Sequence, residues 1–143
     1  PVSTVKAEKL RPVLGKLHTL KPNRLEAELL SGVPITGTDS LHRAAQTLLE
    51  TGLHRVFISL GADGVYAADQ SGSVTLPAPK AEMVSTTGCG DSFMAALTWA
   101  YLQGSDLERS ARAGLAASSL TMESAETIHP SMSEAELLRR MAL

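Results

Sequence analysis

Short apolar segments with strand character alternate along this chain with longer segments of helical periodicity. Residues 55–60 are rich in β-branched and apolar side chains and end at Gly61, which is typical of a buried parallel strand. Residues 39–51 carry leucines and alanines at helical spacing and end at Gly52. Strands that alternate with helices of about ten or more residues predict an α/β layered fold, with a mostly parallel sheet covered on both faces.

Prolines, glycines and hydroxyl residues mark the other expected elements. Ser3 or Thr4 is the expected cap of a short helix over residues 5–10, which Pro12 kinks or ends. Ser105 has the spacing of a capping box with Glu108 and is the expected start of a long helix. The remaining elements are a strand at 18–21, a helix between Asn23 and Gly32, a hairpin of 64–69 with 73–78, a helix at 92–103 and a last helix after Ser133.

The composition excludes several classes of function. The 143 residues carry 13 Lys and Arg against 15 Asp and Glu, which indicates one soluble domain without a basic face for nucleic acid. The longest uncharged apolar stretches fall short of the roughly 18 to 20 residues that a bilayer requires, so no membrane segment is expected. A single cysteine, Cys89, favours a reducing cytoplasm. The chain opens on Pro1 rather than Met, so an interior cut of a longer chain is expected.

The segment Gly88-Cys89-Gly90-Asp91 leads directly into an apolar helical stretch. Its small residues let successive backbone N–H groups point at one spot, where the helix dipole adds positive potential, so the segment suits an anion. Asp91 would lie beside that anion, where a carboxylate can accept a proton during phosphoryl transfer. Asp near a helix start is also common for capping reasons alone. Cys89 at a helix N-terminus would have a lowered thiol pKa, although a small packing residue is the favoured interpretation.

Two further motifs have both a functional and a structural interpretation. Asn23 and Glu26 share one helix face, which suits a hydrated Mg²⁺ and its phosphates, but the pair also has the spacing of a capping box. A strand ends near Ser59, and a Gly-x-x-Gly turn formed by Gly61 and Gly64 follows it. That turn either lets the backbone approach a nucleotide or serves only as the connection into the hairpin.

Several common catalytic motifs are missing from the sequence. It contains no Gly-x-x-x-x-Gly-Lys-Ser/Thr P-loop, and Phe93 stands where a dinucleotide fingerprint would have its third glycine. The four histidines show no metal-ligand spacing, and there is no Gly-x-Ser-x-Gly elbow. These findings leave the Gly-Cys-Gly-Asp segment as the central feature.

The Asn-x-x-Glu motif at 23–26, the strand-end motif at 59–64 and the loop at 86–93 occur in this order. Together they resemble the C-terminal half of the ribokinase-like, or PfkB, carbohydrate kinases, and the resemblance runs over nearly all 143 residues. Residues 18–28 and 127–130 look most like the pseudouridine kinase branch. The resemblance implies a ribokinase-like three-layer α/β sandwich with a mostly parallel sheet, of which this chain is the C-terminal nucleotide-binding and catalytic part.

The resemblance also implies roles for individual residues. Asp91 would be the general base that takes the proton of a sugar 5′-hydroxyl, and the Gly88, Cys89 and Gly90 amides would stabilise the transferred phosphoryl group. The nucleotide-binding residues it implies are Asn23 and Glu26 for Mg²⁺ through water and for phosphate, Ser59, Gly61 and Gly64 along ATP, and Leu115 at the adenine.

This chain departs from the family pattern in two places. Ser85 stands where the family usually has Asp, at a position associated with a monovalent cation, so potassium activation does not follow from the resemblance. Cys89 stands where the family usually has Ala.

The expected function is ATP-dependent phosphorylation of the 5′-hydroxyl of pseudouridine or a related nucleoside or sugar. The alternatives are a kinase for ribose, fructose or another nucleoside, and a truncated remnant that binds nucleotide weakly or merely folds. The family's N-terminal half supplies most sugar contacts and is expected to be absent. The expected partners are therefore the small-molecule acceptor and either a second copy of the chain or that missing half.

Overall fold

A computed structural model of the chain describes the backbone of residues 2–142 and the side chains of residues 5–142. The helices are α1 (Val2–Ala7), α2 (Arg24–Ser31), α3 (Thr38–Leu49), α4 (Cys89–Leu102), α5 (Leu107–Met122) and α6 (Glu134–Met141). The strands are β1 (Thr19–Leu20), β2 (Arg55–Ser59), β3 (Val65–Asp69) and β4 (Gly72–Leu76). Segments of 3-10 helix lie at Glu8–Lys16 and Gly61–Asp63.

The chain forms two compact units. The first unit holds the residues up to Gly61 together with Val65–Thr75, and the second holds Ala62–Gly64 together with the residues from Leu76 onward.

The first unit is built on a sheet with the strand order β1-β2-β3-β4. β1 and β2 pair in parallel, whereas β2 and β3 pair antiparallel, with Ser59 opposite Val65. Helices α2 and α3 pack against β2 and against each other. The core that they cover includes Leu48, Val56 and Ile58, all fully buried. This packing fixes the carboxyl ends of β1 and β2, which carry two of the sequence motifs.

The α/β class is confirmed, but the prediction of a mostly parallel sheet is wrong for the strands that the structure describes. Their sheet is mixed, because β2 and β3 run antiparallel. Residues 60–64, which join them, contain only a 3-10 turn. A parallel pair requires a crossover of about a dozen residues or more, so a link this short joins only antiparallel neighbours. The predicted hairpin of β3 and β4 is confirmed.

The first helix differs from the expectation. It spans Val2–Ala7 and continues as the 3-10 segment Glu8–Lys16, with Pro12 inside that segment rather than at a kink or an end. In an α-helix the Pro12 ring would clash with the carbonyl of the residue four positions earlier, Glu8, which is where the α-helical geometry gives way to the 3-10 segment. The expected caps, Ser3 and Thr4, lie outside the described side chains.

The second unit is built on α4, α5 and α6. α4 and α5 approach closely because Gly114 faces the Phe93 ring, and a Cβ at Gly114 would overlap that ring. α5 is capped by Asp106, whose carboxylate accepts the Arg109 amide at 2.8 Å, so the predicted Ser105 cap is wrong. The Ser105 amide instead donates to the Ala100 carbonyl in the turn that ends α4. None of the described helices is both long enough and apolar enough to cross a membrane.

Candidate active site

The Gly-Cys-Gly-Asp segment forms the first turn of α4, so this helix begins earlier than the predicted residue 92. Gly88 is the N-cap, in a left-handed conformation with φ of 85°, and Cys89 is the first helical residue. Asp91 is the third residue of the helix and is exposed, as is Gly90. The structure thus confirms that a glycine turn leads into a helix N-terminus with a carboxylate beside it.

Gly88 is also packed against the loop between α5 and α6. A Cβ at this position would lie 2.6 Å from the Thr127 carbonyl oxygen and 2.7 Å from the Thr127 Cγ2. Real Cβ atoms do not approach backbone oxygens this closely, so only glycine fits beside Thr127. The contact brings the loop of Thr127 to the N-terminus of α4, a proximity that no sequence pattern indicates.

The backbone amides of the turn have specific partners. The Cys89 amide donates to the Thr86 carbonyl at 3.3 Å, a long hydrogen bond that an anion could replace. The Thr87 amide donates to the Ser85 hydroxyl at 3.2 Å. Ser85 therefore closes the turn with a neutral side chain and brings no anionic group to it.

The Cys89 thiol is half-buried and lies near two backbone carbonyls, those of Ser118 at 3.6 Å and Ser85 at 3.9 Å. Burial raises the pKa of this thiol, and the expectation of a lowered pKa is therefore wrong. The Ser118 hydroxyl donates to the Cys89 carbonyl at 2.8 Å, which ties the turn to α5. These contacts favour the interpretation of Cys89 as a packing residue whose side chain takes no part in chemistry.

A cavity of about 550 Å³ lies beside the start of α4. Asp91 and Ser92 line it at the helix N-terminus, and its wall is otherwise mainly apolar and includes Trp99, Ile128, Met132 and Leu137. Glu134 accepts the Trp99 indole N–H at 3.1 Å, which holds the indole in place. Asp91 therefore borders both solvent and an apolar concavity.

Asn23 and Glu26 form the capping box that the structural interpretation predicts. The Asn23 Oδ1 accepts the Glu26 amide and the Glu26 Oε2 accepts the Asn23 amide, each at 2.9 Å. The helix ends at Gly32, in the left-handed conformation, as the sequence predicts. The capping bond uses one carboxylate oxygen of the half-buried Glu26, so a capping role leaves Oε1 for a hydrated cation. Among the residues described, no three His, Cys, Asp or Glu side chains are grouped to hold a metal ion.

Asn23 and Ser59 come together at the carboxyl ends of β1 and β2. They form an isolated parallel bridge, and the Ser59 amide donates to the Pro22 carbonyl at 3.0 Å. Lys21 also reaches this position, because its Nζ donates to the Ser59 hydroxyl at 3.3 Å. Lys21 belongs to none of the predicted site motifs. The available signal was its place at the end of a strand immediately before the Pro-Asn pair.

The other nucleotide residues expected from the resemblance have clear structural roles. Gly61 starts the 3-10 turn with φ of 63°, and Gly64 follows it with φ of 96°. A Cβ at Gly64 would lie 2.7 Å from the Ala78 amide nitrogen, so this glycine is required by the chain after β4. Leu115 is 9% exposed, so little of its side chain is accessible to a ligand.

Within the first unit, the structure brings together Asn23, Glu26 and Ser59. Within the second unit, it brings together Gly88–Asp91, and Leu115 lies on α5 of the same unit.

The family model of the pfkB family carbohydrate kinases matches residues 2–135. This chain belongs to the pfkB family. It is 39% identical to the pseudouridine kinase of Escherichia coli strain K12 over 139 residues, which are 96% of this chain and 44% of that protein. The chain therefore spans less than half the length of this curated relative.

Solved structures show the same fold. A crystal structure of a proposed sugar kinase from Clostridium perfringens is 38% identical, with a TM-score of 0.94 over 99% of this chain and 45% of that one. Arabidopsis thaliana ribokinase, complexed with ribose and ATP, is 28% identical, with a TM-score of 0.81 over 93% of this chain and 43% of that one. The fold of this pfkB chain is therefore ribokinase-like, as the sequence motifs imply.

Proposed function

We propose that this chain is the nucleotide-binding and catalytic part of a kinase that transfers the γ-phosphoryl group of ATP to the 5′-hydroxyl of pseudouridine or a related nucleoside or sugar. The observation that carries this proposal is the position of Asp91, an exposed carboxylate one residue past a glycine turn at a helix N-terminus. Phosphoryl transfer needs both a proton acceptor and a site of positive potential for the transferred group, and this turn offers both.

The proposed chemistry assigns one task to each part of the turn. The Asp91 carboxylate takes the proton of the acceptor hydroxyl while the hydroxyl oxygen forms a bond to the γ-phosphorus of ATP. The bond between the γ-phosphorus and the oxygen that bridges it to the β-phosphorus breaks, which releases ADP. The amides of Gly88, Cys89 and Gly90 and the N-terminal dipole of α4 stabilise the charge on the phosphoryl oxygens. The Cys89 amide exchanges its long hydrogen bond to Thr86 for one to phosphate.

Residues of the first unit are proposed to bind the polyphosphate and its Mg²⁺. Asn23 and Glu26 would hold the hydrated cation, since Mg²⁺ keeps several waters and is bound through one or two carboxylates. The Lys21 ammonium and the Ser59 hydroxyl lie at the same strand ends and supply a positive charge and a donor. Gly61 and Gly64 are proposed to lie along ATP and Leu115 at the adenine, and the related ribokinase complexed with ATP supports this nucleotide.

Pseudouridine is the proposed acceptor because the pseudouridine kinase relative matches over nearly the whole chain. Most acceptor contacts are proposed to come from the part of the relatives that the match does not span. We propose a cytoplasmic enzyme that works with that part or as a homo-oligomer. A monovalent cation is not included, because Ser85 brings no charge to the turn.

The acceptor is tested by ATP consumption with the full-length protein and a panel of pseudouridine, uridine, ribose and fructose. We expect kcat/KM for pseudouridine to exceed the others by at least about tenfold, a discrimination that one or two specific contacts provide. A higher value for another acceptor would replace pseudouridine and keep the kinase. ATP binding without turnover of any acceptor would favour the non-enzymatic alternative.

Glu26→Gln separates the capping role from the cation role. Gln preserves the capping box, so we expect the free energy of unfolding to change by less than about 0.5 kcal/mol. Removing the charge is expected to weaken Mg-ATP binding at least about tenfold, measured by calorimetry. Glu50→Gln removes an exposed carboxylate at the end of α3 and should leave Mg-ATP affinity within about twofold. Equal affinities in the two variants would restrict Glu26 to capping.

A further inference from the structure

Arg140, near the end of α6, forms a two-point ion pair with Glu123 at the end of α5. Its Nη1 donates to Oε1 at 3.0 Å and its Nη2 donates to Oε2 at 2.5 Å. The Arg140 side chain is only 14% exposed, and Nη1 also lies 3.4 Å from the Ser119 hydroxyl. Paired, planar and largely shielded from water, this contact is of the stronger kind that arginine makes with a carboxylate.

The end of α5 also contacts the segment that enters the Gly88 turn. The Glu82 backbone amide lies near enough to the Glu123 carboxylate to help lower its pKa, although Arg140 has the larger effect. The carbonyl of the preceding residue, Met122, accepts the amides of Val84 at 2.9 Å and Ser85 at 3.1 Å. The chain that leads into the turn is therefore attached to the end of α5 by the two hydrogen bonds to Met122, next to Glu123.

The segment that leaves Glu123 contacts the same turn through Thr127. It runs from Ser124 to Ser133, the N-cap of α6, and it brings Thr127 against Gly88. Arg140 holds α6, where this segment ends, to Glu123, where the segment begins. The segment that precedes the Gly88 turn and the segment that contacts it are thus both attached next to the ion pair of Arg140 with Glu123. The hydrogen bond from Arg140 lowers the pKa of Glu123, so the pair is ionised near neutral pH.

We infer that Arg140 is a positioning residue, which acts through Glu123 to set the geometry of the turn that carries Gly88 and Asp91. The inference rests on the proposed kinase function. Displacement of a reacting group by about 1 Å can cost about 10²-fold in rate even when the change is remote from the chemistry. Loss of the pair is therefore expected to affect kcat more than substrate binding.

The test compares Arg140→Met with Arg112→Met in the full-length protein. Arg112 makes a similar ion pair with Glu108, at 2.7 Å, but this pair lies on the exposed surface of α5, with about half of each side chain in solvent. We expect Arg140→Met to lower kcat at least about tenfold, with KM for ATP within about threefold. Arg112→Met should leave both constants within about twofold. Arg140→Lys, which keeps the charge but loses the two-point geometry, should give an intermediate kcat.

Hydrogen exchange supplies a readout that does not depend on activity. We expect Arg140→Met to accelerate exchange of the Glu82, Val84, Ser85 and Cys89 amides at least about tenfold, and to leave the Ser110 amide at the start of α5 unchanged. Equal acceleration at Ser110 would mean general destabilisation and would overturn the inference. Unchanged exchange at the four amides, or a wild-type kcat in Arg140→Met, would overturn it as well.

The two proposals fail in different ways. If the wild-type protein phosphorylates no acceptor, the proposed function is wrong, and selective acceleration of the four amides would still support the link from Arg140 to the turn. If the wild type is active and exchange is not selective, the function stands and the inference is wrong.

Discussion

Asp91→Asn is expected to lower kcat at least about 10²-fold, the lower end of the range for loss of a general base. The amide has nearly the same shape as the carboxylate and still accepts hydrogen bonds, but it does not take up a proton at neutral pH. Asp91 is exposed and lies in the first turn of α4, so the variant should remain folded. Steady-state kinetics measures kcat, and a nucleotide titration should show ATP affinity within a few-fold of the wild type.

The control for this variant addresses the capping explanation of Asp91. A carboxylate in the first turn of a helix stabilises the helix dipole by about 0.3–1 kcal/mol, whatever its catalytic role. Asp39 is an exposed carboxylate in the first turn of α3, so Asp39→Asn removes the same kind of dipole interaction. If the two variants lose similar stability and both keep normal kcat, Asp91 is a helix-capping residue and the assignment as general base is wrong.

Gly88→Ala is expected to lower kcat at least about 10²-fold and to destabilise the second unit. The left-handed conformation costs a residue with a Cβ about 1–2 kcal/mol. The new methyl group would also lie 2.6 Å from the Thr127 carbonyl oxygen, a backbone atom that cannot rotate away. Relief requires the turn and the loop of Thr127 to move apart, which displaces the amides and Asp91 and costs at least about 10²-fold in kcat. Thermal unfolding and steady-state kinetics measure the two effects.

Gly104→Ala is the matched control. Gly104 also has a left-handed φ, of 67°, at the end of α4, but a Cβ there meets nothing within 4 Å. This variant should show the conformational cost of about 1–2 kcal/mol alone, with kcat within about threefold of the wild type. A Gly88→Ala variant that matched Gly104→Ala in both stability and kcat would show that the Thr127 contact has no part in positioning the turn.

Local sequence signals predicted most elements whose stabilisation is local. The Asn23 cap, the Gly32 terminator and the Ser133 cap are confirmed, because each is decided by hydrogen bonds within a few residues. The Ser105 cap is wrong for a local reason too, since Asp106 is an equally good cap one residue later. Such competition between adjacent polar residues is not resolved by spacing alone.

Strand direction was predicted less well. An apolar strand followed by Gly61 is typical of a parallel sheet, and β1 and β2 do pair in parallel. The antiparallel pairing of β2 with β3 depends on the short link between them. The apolar pattern within each strand gives no information about the length of that link. The connection length was the better signal.

The sequence by itself determined the α/β class, the kinase family and the order of the motifs, because these depend on residue types and spacings along the chain. Only the tertiary structure decided the long-range contacts within each unit. Thr127 packs on Gly88, Lys21 meets Ser59, burial raises the Cys89 thiol pKa, and Arg140 pairs with Glu123. Each of these joins residues that are distant in sequence or depends on the dielectric around a group. Periodicity and capping rules describe neighbours along the chain, whereas burial and long-range contacts arise only when the helices and strands pack.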